Sequence, residues 1–459
     1  MAKWTNILRG SAAATSDDPV SADRIQTDAA DEQAVMPPPF DPVADPSAMN
    51  LYCVNLRAFT EAGTLRAATG RLAELAALGI NAVWLMPIYP VGQTDKKGPL
   101  GSPYSIADFQ AVNPELGTPQ DLDAFVGEAH RRGMRVLLDW ITNHTAWDHP
   151  WVKRDGWHTR DEAGAVQLPK GTDWTDAAEL NYDQPEVRTA MIDAMSHWAT
   201  RHGIDGFRCD VADLVPASFW ETAIPAVEAA CGRDLVFLAE GDRVANFDAG
   251  FDLAYDWKAY KKLKAIYCEG HAASDLIATH REAYDEIPDG KHLMRFTTNH
   301  DENAWDATPI EIFNGPDGAF AAFAASAALG GTVLLYTGQE QSWPDRIPFF
   351  ERAPVPASFG LNHRARYQAV LQARQGVAAL REGDITNDYS TFDVAAFERQ
   401  GTGNGRVLIV INVRPHRHRL DVPASWQNTV TREWLAGVTL TLGNTLDLEP
   451  YAVRWFVAT

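Results

Sequence analysis

Short apolar runs alternate with amphipathic stretches along most of this chain, regularly enough to be counted. The runs are LYCVNL (51–56), AVWLMPI (82–88), RVLLDW (135–140), GFRCDV (206–211), LVFLAE (235–240), FDLAYD (251–256), LMRFTT (293–298) and TVLLYT (332–337). Each has the length of a buried strand, and several of the stretches between them carry helical spacing. Buried strands separated by helices are the rhythm of a parallel sheet, and eight of them close a (β/α)8 barrel.

The helix boundaries are written in the same way. Thr118 can cap a helix that has Pro119 in its first position and Gly133 after its end. Pro185 opens another, which Gly203 closes. Leu72, Leu75, Ala76 and Leu78 share one side of a stretch that stops at Gly79.

Three segments depart from the rhythm. Residues 1–47 are polar, include Pro37-Pro38-Pro39 and show no sustained period, so an extended or disordered lead-in is expected. Residues 141–184 are too many for one helix and hold Trp147, Trp151, Trp157 and Trp174 among polar residues. A loop of that length reads as an irregular subdomain over the barrel mouth, with its tryptophans either lining a cleft or packing the loop itself. From about 383 the helix patterns vanish and runs such as RVLIVINV (406–413) and YAVRWFVAT (451–459) take over. The fold expected is therefore α/β: a (β/α)8 barrel over 48–382, the insert 141–184, and a C-terminal antiparallel β-sandwich over 383–459.

Composition narrows the partners. The 459 residues are 46% hydrophobic and 22% charged, ordinary for a globular protein, with a formal net charge of −21. That charge disfavours nucleic acid and anionic membranes. Cys53, Cys209, Cys231 and Cys268 have no paired or metal-binding spacing and read as reduced thiols. No apolar run approaches the roughly 18 residues of a membrane span, and no signal-peptide core follows Lys3 and Arg9. The expected location is the cytoplasm, or outside the cell with the leader absent from this sequence. Oligomeric state leaves no mark in the sequence.

The chemistry lies at strand ends. DWITNH (139–144), GFRCDVAD (206–213), VFLAEG (236–241) and TTNHDEN (297–303) bring carboxylates, an arginine and two histidines to the ends of four apolar runs. Barrel enzymes work at the C-terminal ends of their strands. A pocket lined there by carboxylates is what cleavage of a glycosidic bond requires.

These four segments, in this order, resemble the α-amylase family of glycoside hydrolases. MPIYP (86–90), SPYSIADF (102–109) and the terminal β-domain strengthen the resemblance, which spans about residues 50–459. It implies a retaining mechanism on α-glucans or maltooligosaccharides, with Asp210 as nucleophile, Glu240 as acid/base and Asp301 as the third acid that stabilises the distorted sugar. It further implies sugar contacts from Tyr104, His144, Arg208 and His300, with Asp139 as support. The residues are consistent with those roles. Arg208 lies two positions before Asp210, hence on the same face of the strand, where a guanidinium favours the ionised carboxylate. Glu240 needs a raised pKa, which a dry cleft and neighbouring acids supply. Asp301 alone could equally cap a helix.

The match departs from the family in places. Asp213-Leu214 stands where many members have Lys-His. Asn143 and Glu179 fall where the family places calcium ligands, so Ca2+ is the one cofactor the resemblance implies, and no organic cofactor is expected. Val211 after the nucleophile leaves α-1,6 cleavage open. The alternatives are an α-glucosidase, an α-1,6-acting enzyme or a glucanotransferase on the same scaffold. A non-catalytic carbohydrate-binding protein is disfavoured, because all three acids are present.

Overall fold

In the computed structural model the described residues are 45–401 and 405–458. Eight parallel strands close a barrel: β1 (Asn50–Val54), β2 (Ala82–Leu85), β3 (Arg135–Ile141), β4 (Gly206–Asp210), β5 (Val236–Ala239), β6 (Leu253–Tyr255), β7 (His292–Arg295) and β8 (Thr332–Tyr336). Each strand pairs with its sequence neighbours, and β8 returns to β1 through Asn50↔Val333 and Cys53↔Tyr336. All eight expected runs are strands. Most are buried on both faces, because the barrel interior and the surrounding helices each take one set of side chains.

The helices start and stop where the punctuation places them. Pro119–Arg131 has Thr118 and Asp121 in a reciprocal capping box, and Gly133 follows with a positive φ. Pro185–Arg201 ends before Gly203, and Leu72–Leu78 ends at Gly79 in the left-handed region. No helix among the described residues is long and apolar enough to cross a membrane.

The lead-in expected over 1–47 lies outside the described residues except for 45–47. Those three are ordered: Asp45 caps the turn Pro46–Ala48, and the hydroxyl of Thr332, the first residue of β8, donates to the Pro46 carbonyl at 2.6 Å. The barrel therefore begins slightly earlier than the hydrophobic pattern indicates. Its polar first turn carries no apolar signal, only a proline and a cap.

Residues 141–184 contain a two-residue antiparallel ladder, His144↔Glu179 and Thr145↔Ala178, one 3-10 turn at Pro150–Lys153, and otherwise irregular chain. A second long connection, 86–118 after β2, carries SPYSIADF and lies against it.

The C-terminal region is a six-stranded antiparallel sheet and a two-stranded one. The strands are β9 (Asp384–Asp388), β10 (Val394–Gln400), β11 (Arg406–Asn412), β12 (His418–Asp421), β13 (Val430–Glu433), β14 (Val438–Thr441), β15 (Thr445–Leu448) and β16 (Val453–Ala458). The large sheet runs β9-β10-β11-β16-β13-β14, and β12 pairs with β15. Alternation decides its two faces. Ala395, Phe397, Val407, Ile409, Ile411 and Trp455 join the barrel's core. Val394, Ala396, Leu408, Val410 and Phe456 pack with Leu420, Leu442, Leu448 and Trp426 in a separate core. Arg399 locks the sheet to the barrel by donating to the carbonyls of Leu329 and Ala379.

Gly206, which starts β4, is needed for its size. A Cβ there would lie 2.1 Å from the Val236 carbonyl oxygen on β5, a contact only movement of both strands relieves. Gly206→Ala is expected to cost about 3 kcal/mol, the upper end for overpacking, as a lower urea midpoint with an unchanged slope.

Candidate active site

Four strand ends bring the acids together, each at a different height. Asp139 lies within β3, Asp210 is the last residue of β4, Glu240 follows β5 directly, and Asp301 stands beyond β7. Asp139 and Arg208 are register neighbours across the β3–β4 pair.

Arg208 is wholly buried and holds three carboxylates. Its Nη1 lies 3.0 Å from Asp139 Oδ1 and 2.7 Å from Asp210 Oδ1, and its Nη2 is 2.5 Å from Glu240 Oε1. Trp84 packs under the guanidinium, 4.9 Å from ring centroid to Arg208 Cζ. The Tyr255 hydroxyl accepts from Nε at 3.1 Å. The expected sugar contact by Arg208 is therefore corrected: this side chain lies beneath the acids and forms no part of the cavity wall. Two-residue spacing puts Arg208 and Asp210 on one face, but Arg208 lies two residues deeper along the same strand.

Glu240 is fixed by backbone as well as charge. Its amide donates to the Cys209 carbonyl, its own carbonyl accepts from Ala212, and its Oε2 accepts from the Val211 amide at 2.8 Å. Val211 adopts φ 38°, ψ 47°, which turns the next amide, that of Ala212, onto the Glu240 carbonyl at 3.0 Å. A β-branched residue in the left-handed region costs on the order of 1–3 kcal/mol, and the strain here is spent on tying the chain after Asp210 to Glu240. Glu240 also shares a hydrogen bond with Asp210.

Burial raises all of these acids. It pushes Asp139 and Asp210 up to about 6 despite Arg208, and Glu240, with Asp210 beside it, up to about 7. The shared hydrogen bond lowers Asp210 and raises Glu240, so Glu240 holds the proton and Asp210 accepts it. Asp301 is raised by burial and then by Glu240. Its side chain is 40% exposed, so solvent tempers that rise. Asp301 makes no capping bond to the turn it begins, which leaves its carboxylate to the cavity.

The remaining expected residues surround this group. Tyr104 donates to Asp139 Oδ2 at 2.8 Å and lies 2.6 Å from His300 Nε2. Burial and Arg208 hold His300 well below its ordinary value, so the ring is neutral, and its Nε2–H donates to the tyrosine oxygen. His144 is held down to about 4 by burial and donates to the Tyr104 carbonyl at 3.2 Å. Tyr104, His144, His300, Asp210, Glu240 and Asp301 all line one cavity of about 520 Å³.

Of the insert's tryptophans, Trp174 reaches that cavity, 5.4 Å from His144. Trp151 and Trp157 pack on each other, and Trp151 on Phe109, instead. Trp147 donates to the Thr175 carbonyl. The cavity wall also contains Ser102 and Ser105 of the SPYSIADF segment, and Lys97, Asp176, Trp305, Phe349 and Phe350, which no motif singles out. They come from loops whose composition is that of any surface segment.

The donor set for calcium does not fit. Asn143 is buried with its Nδ2 lacking a protein partner, and the Glu179 carboxylate is engaged by the Thr159 hydroxyl at 2.7 Å and the Lys170 amide at 3.1 Å. Asp213, in the place of the family's Lys, bonds to Asn246 at 2.7 Å. Among the described residues no cluster of three or more His, Cys, Asp or Glu side chains is arranged for a metal, whereas Ca2+ takes six to eight oxygens.

Known proteins share this architecture and sequence. The family model for the alpha amylase catalytic domain matches residues 27–165 and 154–234. The alpha-amylase MalA of Haloarcula japonica is 32% identical over 319 residues, 66% of this chain and 45% of that protein. The alpha-1,4-glucan:maltose-1-phosphate maltosyltransferase 2 of Streptomyces coelicolor is 28% identical over 85% of this chain and 64% of its own length. This chain thus spans less than two thirds of either relative. The crystal structure of a noncanonic maltogenic alpha-amylase, AmyB from Thermotoga neapolitana, superposes with a TM-score of 0.80 at 26% identity, over 90% of this chain and 99% of that one. Closed barrel, C-terminal β-domain, motif order and these similarities lead to one conclusion: the chain belongs to the α-amylase family.

Proposed function

We propose that this protein is a retaining glycoside hydrolase that cleaves α-glucosidic bonds in starch and maltooligosaccharides. The observation that carries the reading is that one buried guanidinium holds Asp210 and Glu240 side by side, at 2.7 and 2.5 Å, with both carboxyls open to one cavity. Carboxyls held on one guanidinium fork lie close together, which suits the roughly 5–5.5 Å of the retaining class better than the roughly 6.5–9.5 Å that leaves room for water in an inverting one.

In this reading Asp210, ionised and steadied by Arg208, attacks the anomeric carbon. Glu240 gives its proton to the leaving oxygen, and the covalent glycosyl-enzyme forms. Glu240, now ionised, takes a proton from the incoming water, which attacks the same carbon and frees Asp210. Asp301 faces the ring that carries positive charge in both transition states. Tyr104, His144 and His300 present aromatic ring surface to the same cavity. Transfer to a sugar hydroxyl in place of water is a second reading, favoured by similarity to a maltosyltransferase over 85% of this chain.

Maltotetraose tests both. Proton NMR of the first products is expected to show the α-anomer, and Asp210→Asn to lower kcat by several orders of magnitude with the fold retained. Initial β-anomer, or near-normal turnover by the variant, overturns the reading; products longer than the substrate select transfer.

Activity requires Asp210 ionised and Glu240 protonated. It should fall below pH about 6 as Asp210 gains a proton and above pH about 7 as Glu240 loses one, a narrow bell in kcat/KM.

Arg208→Leu should cost about 3–5 kcal/mol, because it strands three buried carboxylates. Their folded values lie above their ordinary ones, so the ionised forms destabilise the fold. That cost is full above the raised values and disappears as pH falls through them to the unfolded range. Urea unfolding is therefore expected to show a smaller deficit near pH 5 than near pH 8.

A further inference from the structure

Trp305 differs from the other tryptophans among the described residues. It is 60% exposed, whereas they are buried or half-buried. It also stands at a chosen place: on the π-helical turn Glu302–Asp306 directly after Asp301, and in the wall of the catalytic cavity. π-helical turns are rare and concentrate at functional sites.

That turn is held from several sides. Asn299 Oδ1 accepts the amides of Asp301 and Glu302 at 2.9 and 2.8 Å. The Glu302 carboxylate accepts from the Tyr260 hydroxyl at 2.7 Å, and Lys264 pairs with Asp306 at 2.5 Å. Asn303 Oδ1 accepts the Ile347 amide at 2.8 Å, which ties the turn to the loop after β8. That loop delivers Phe349 and Phe350, whose rings lie 5.5 and 5.7 Å from Trp305. Phe349 in turn stacks on Tyr104 at 5.6 Å. Aromatic surface thus runs unbroken from the cavity floor at Tyr104 to the rim at Trp305.

An indole supported in this way costs little to order on binding, because its backbone and neighbours are already fixed. A pyranose ring offers one apolar C–H face and a rim of hydroxyls, which suits an aromatic face set at the edge of water. Asp301 and Tyr104 occupy the floor, so a ring at Trp305 is not the ring being cleaved. Continuity of this surface with the catalytic cavity identifies the occupant as another unit of the same saccharide.

We propose that Trp305, backed by Phe349 and Phe350, is a stacking platform for a glucosyl unit outside the one cleaved, and that it makes efficiency depend on chain length. This rests on the glucan-hydrolase reading above. The test is kcat/KM on the series maltose to maltohexaose for the wild type, Trp305→Ala and Trp305→Phe. Trp305→Ala is expected to lose about tenfold on the longer substrates, mainly in KM, and progressively less on the shorter ones, with Trp305→Phe recovering most of the loss. Wild-type protein that turns over none of the series removes the underlying reading and this one with it. Wild-type turnover with a Trp305→Ala profile that overlays it overturns the platform alone. So does an equal loss at every length, which would mark Trp305 as merely holding the turn that carries Asp301.

Discussion

One buried cation organises this site. Arg208 has no exposed surface, and its guanidinium reaches Asp139, Asp210 and Glu240 at once. Three carboxylates in so small and dry a space repel each other, and each loses hydration. Without the cation the ionised forms of all three would lose the opposite charge that lowers each of them. With it, repulsion is only partly relieved. The residue of that conflict is a pair titrating at about 6 and about 7, with the proton on Glu240. The planar fork of an arginine allows this, because it offers separate N–H groups to separate acids. A lysine is one point charge on a flexible stem.

The backbone carries the rest of the arrangement. Glu240 is fastened to the end of β4 by its amide, its carbonyl and its Oε2. Two strands therefore share one site, and this fastening keeps Asp210 and Glu240 in register. The strained Val211 belongs to this fastening. A relaxed residue there would turn the Ala212 amide away from the Glu240 carbonyl, so the cost of the left-handed conformation is a cost of holding the site together.

The barrel was legible because burial on both faces leaves no choice of residue: β1 and β3 read as unbroken apolar runs and are buried throughout. Caps were legible for a similar reason, since Thr118 and Gly79 answer local backbone needs. The acids could be assigned by order and strand end. The depth of Arg208 could not, because two-residue periodicity reports a face and not a height above the barrel floor. Trp305, Phe349, Phe350, Lys97 and Asp176 escaped for another reason. They belong to loops, where chain path is set by long-range bonds such as Asn303 to Ile347 that no local pattern announces. The calcium expectation rested on position alone. Asn143 and Glu179 match by position, but Thr159 and Lys170 have taken the carboxylate.

What stands in that region is a set of protein–protein contacts between two loops that lack a core of their own. Lys97, from the loop after β2, pairs at 3.0 Å with Asp176 of the insert, whose side chain is 6% exposed. The Ser105 hydroxyl donates to the Asp176 carbonyl at 2.7 Å, and the Gln93 amide to Asp148 at 2.7 Å. Gly92 permits the approach, since a Cβ there would meet Ala146 at 2.4 Å. Asp176 is too buried for its pairing with Lys97 to count as an ordinary surface ion pair, which is worth about 0–1 kcal/mol. These bonds hold the cavity wall bearing Trp174, while the π-helical turn and its asparagines hold the wall bearing Trp305. The barrel supplies the acids, and two separately fastened loop systems shape the space above them.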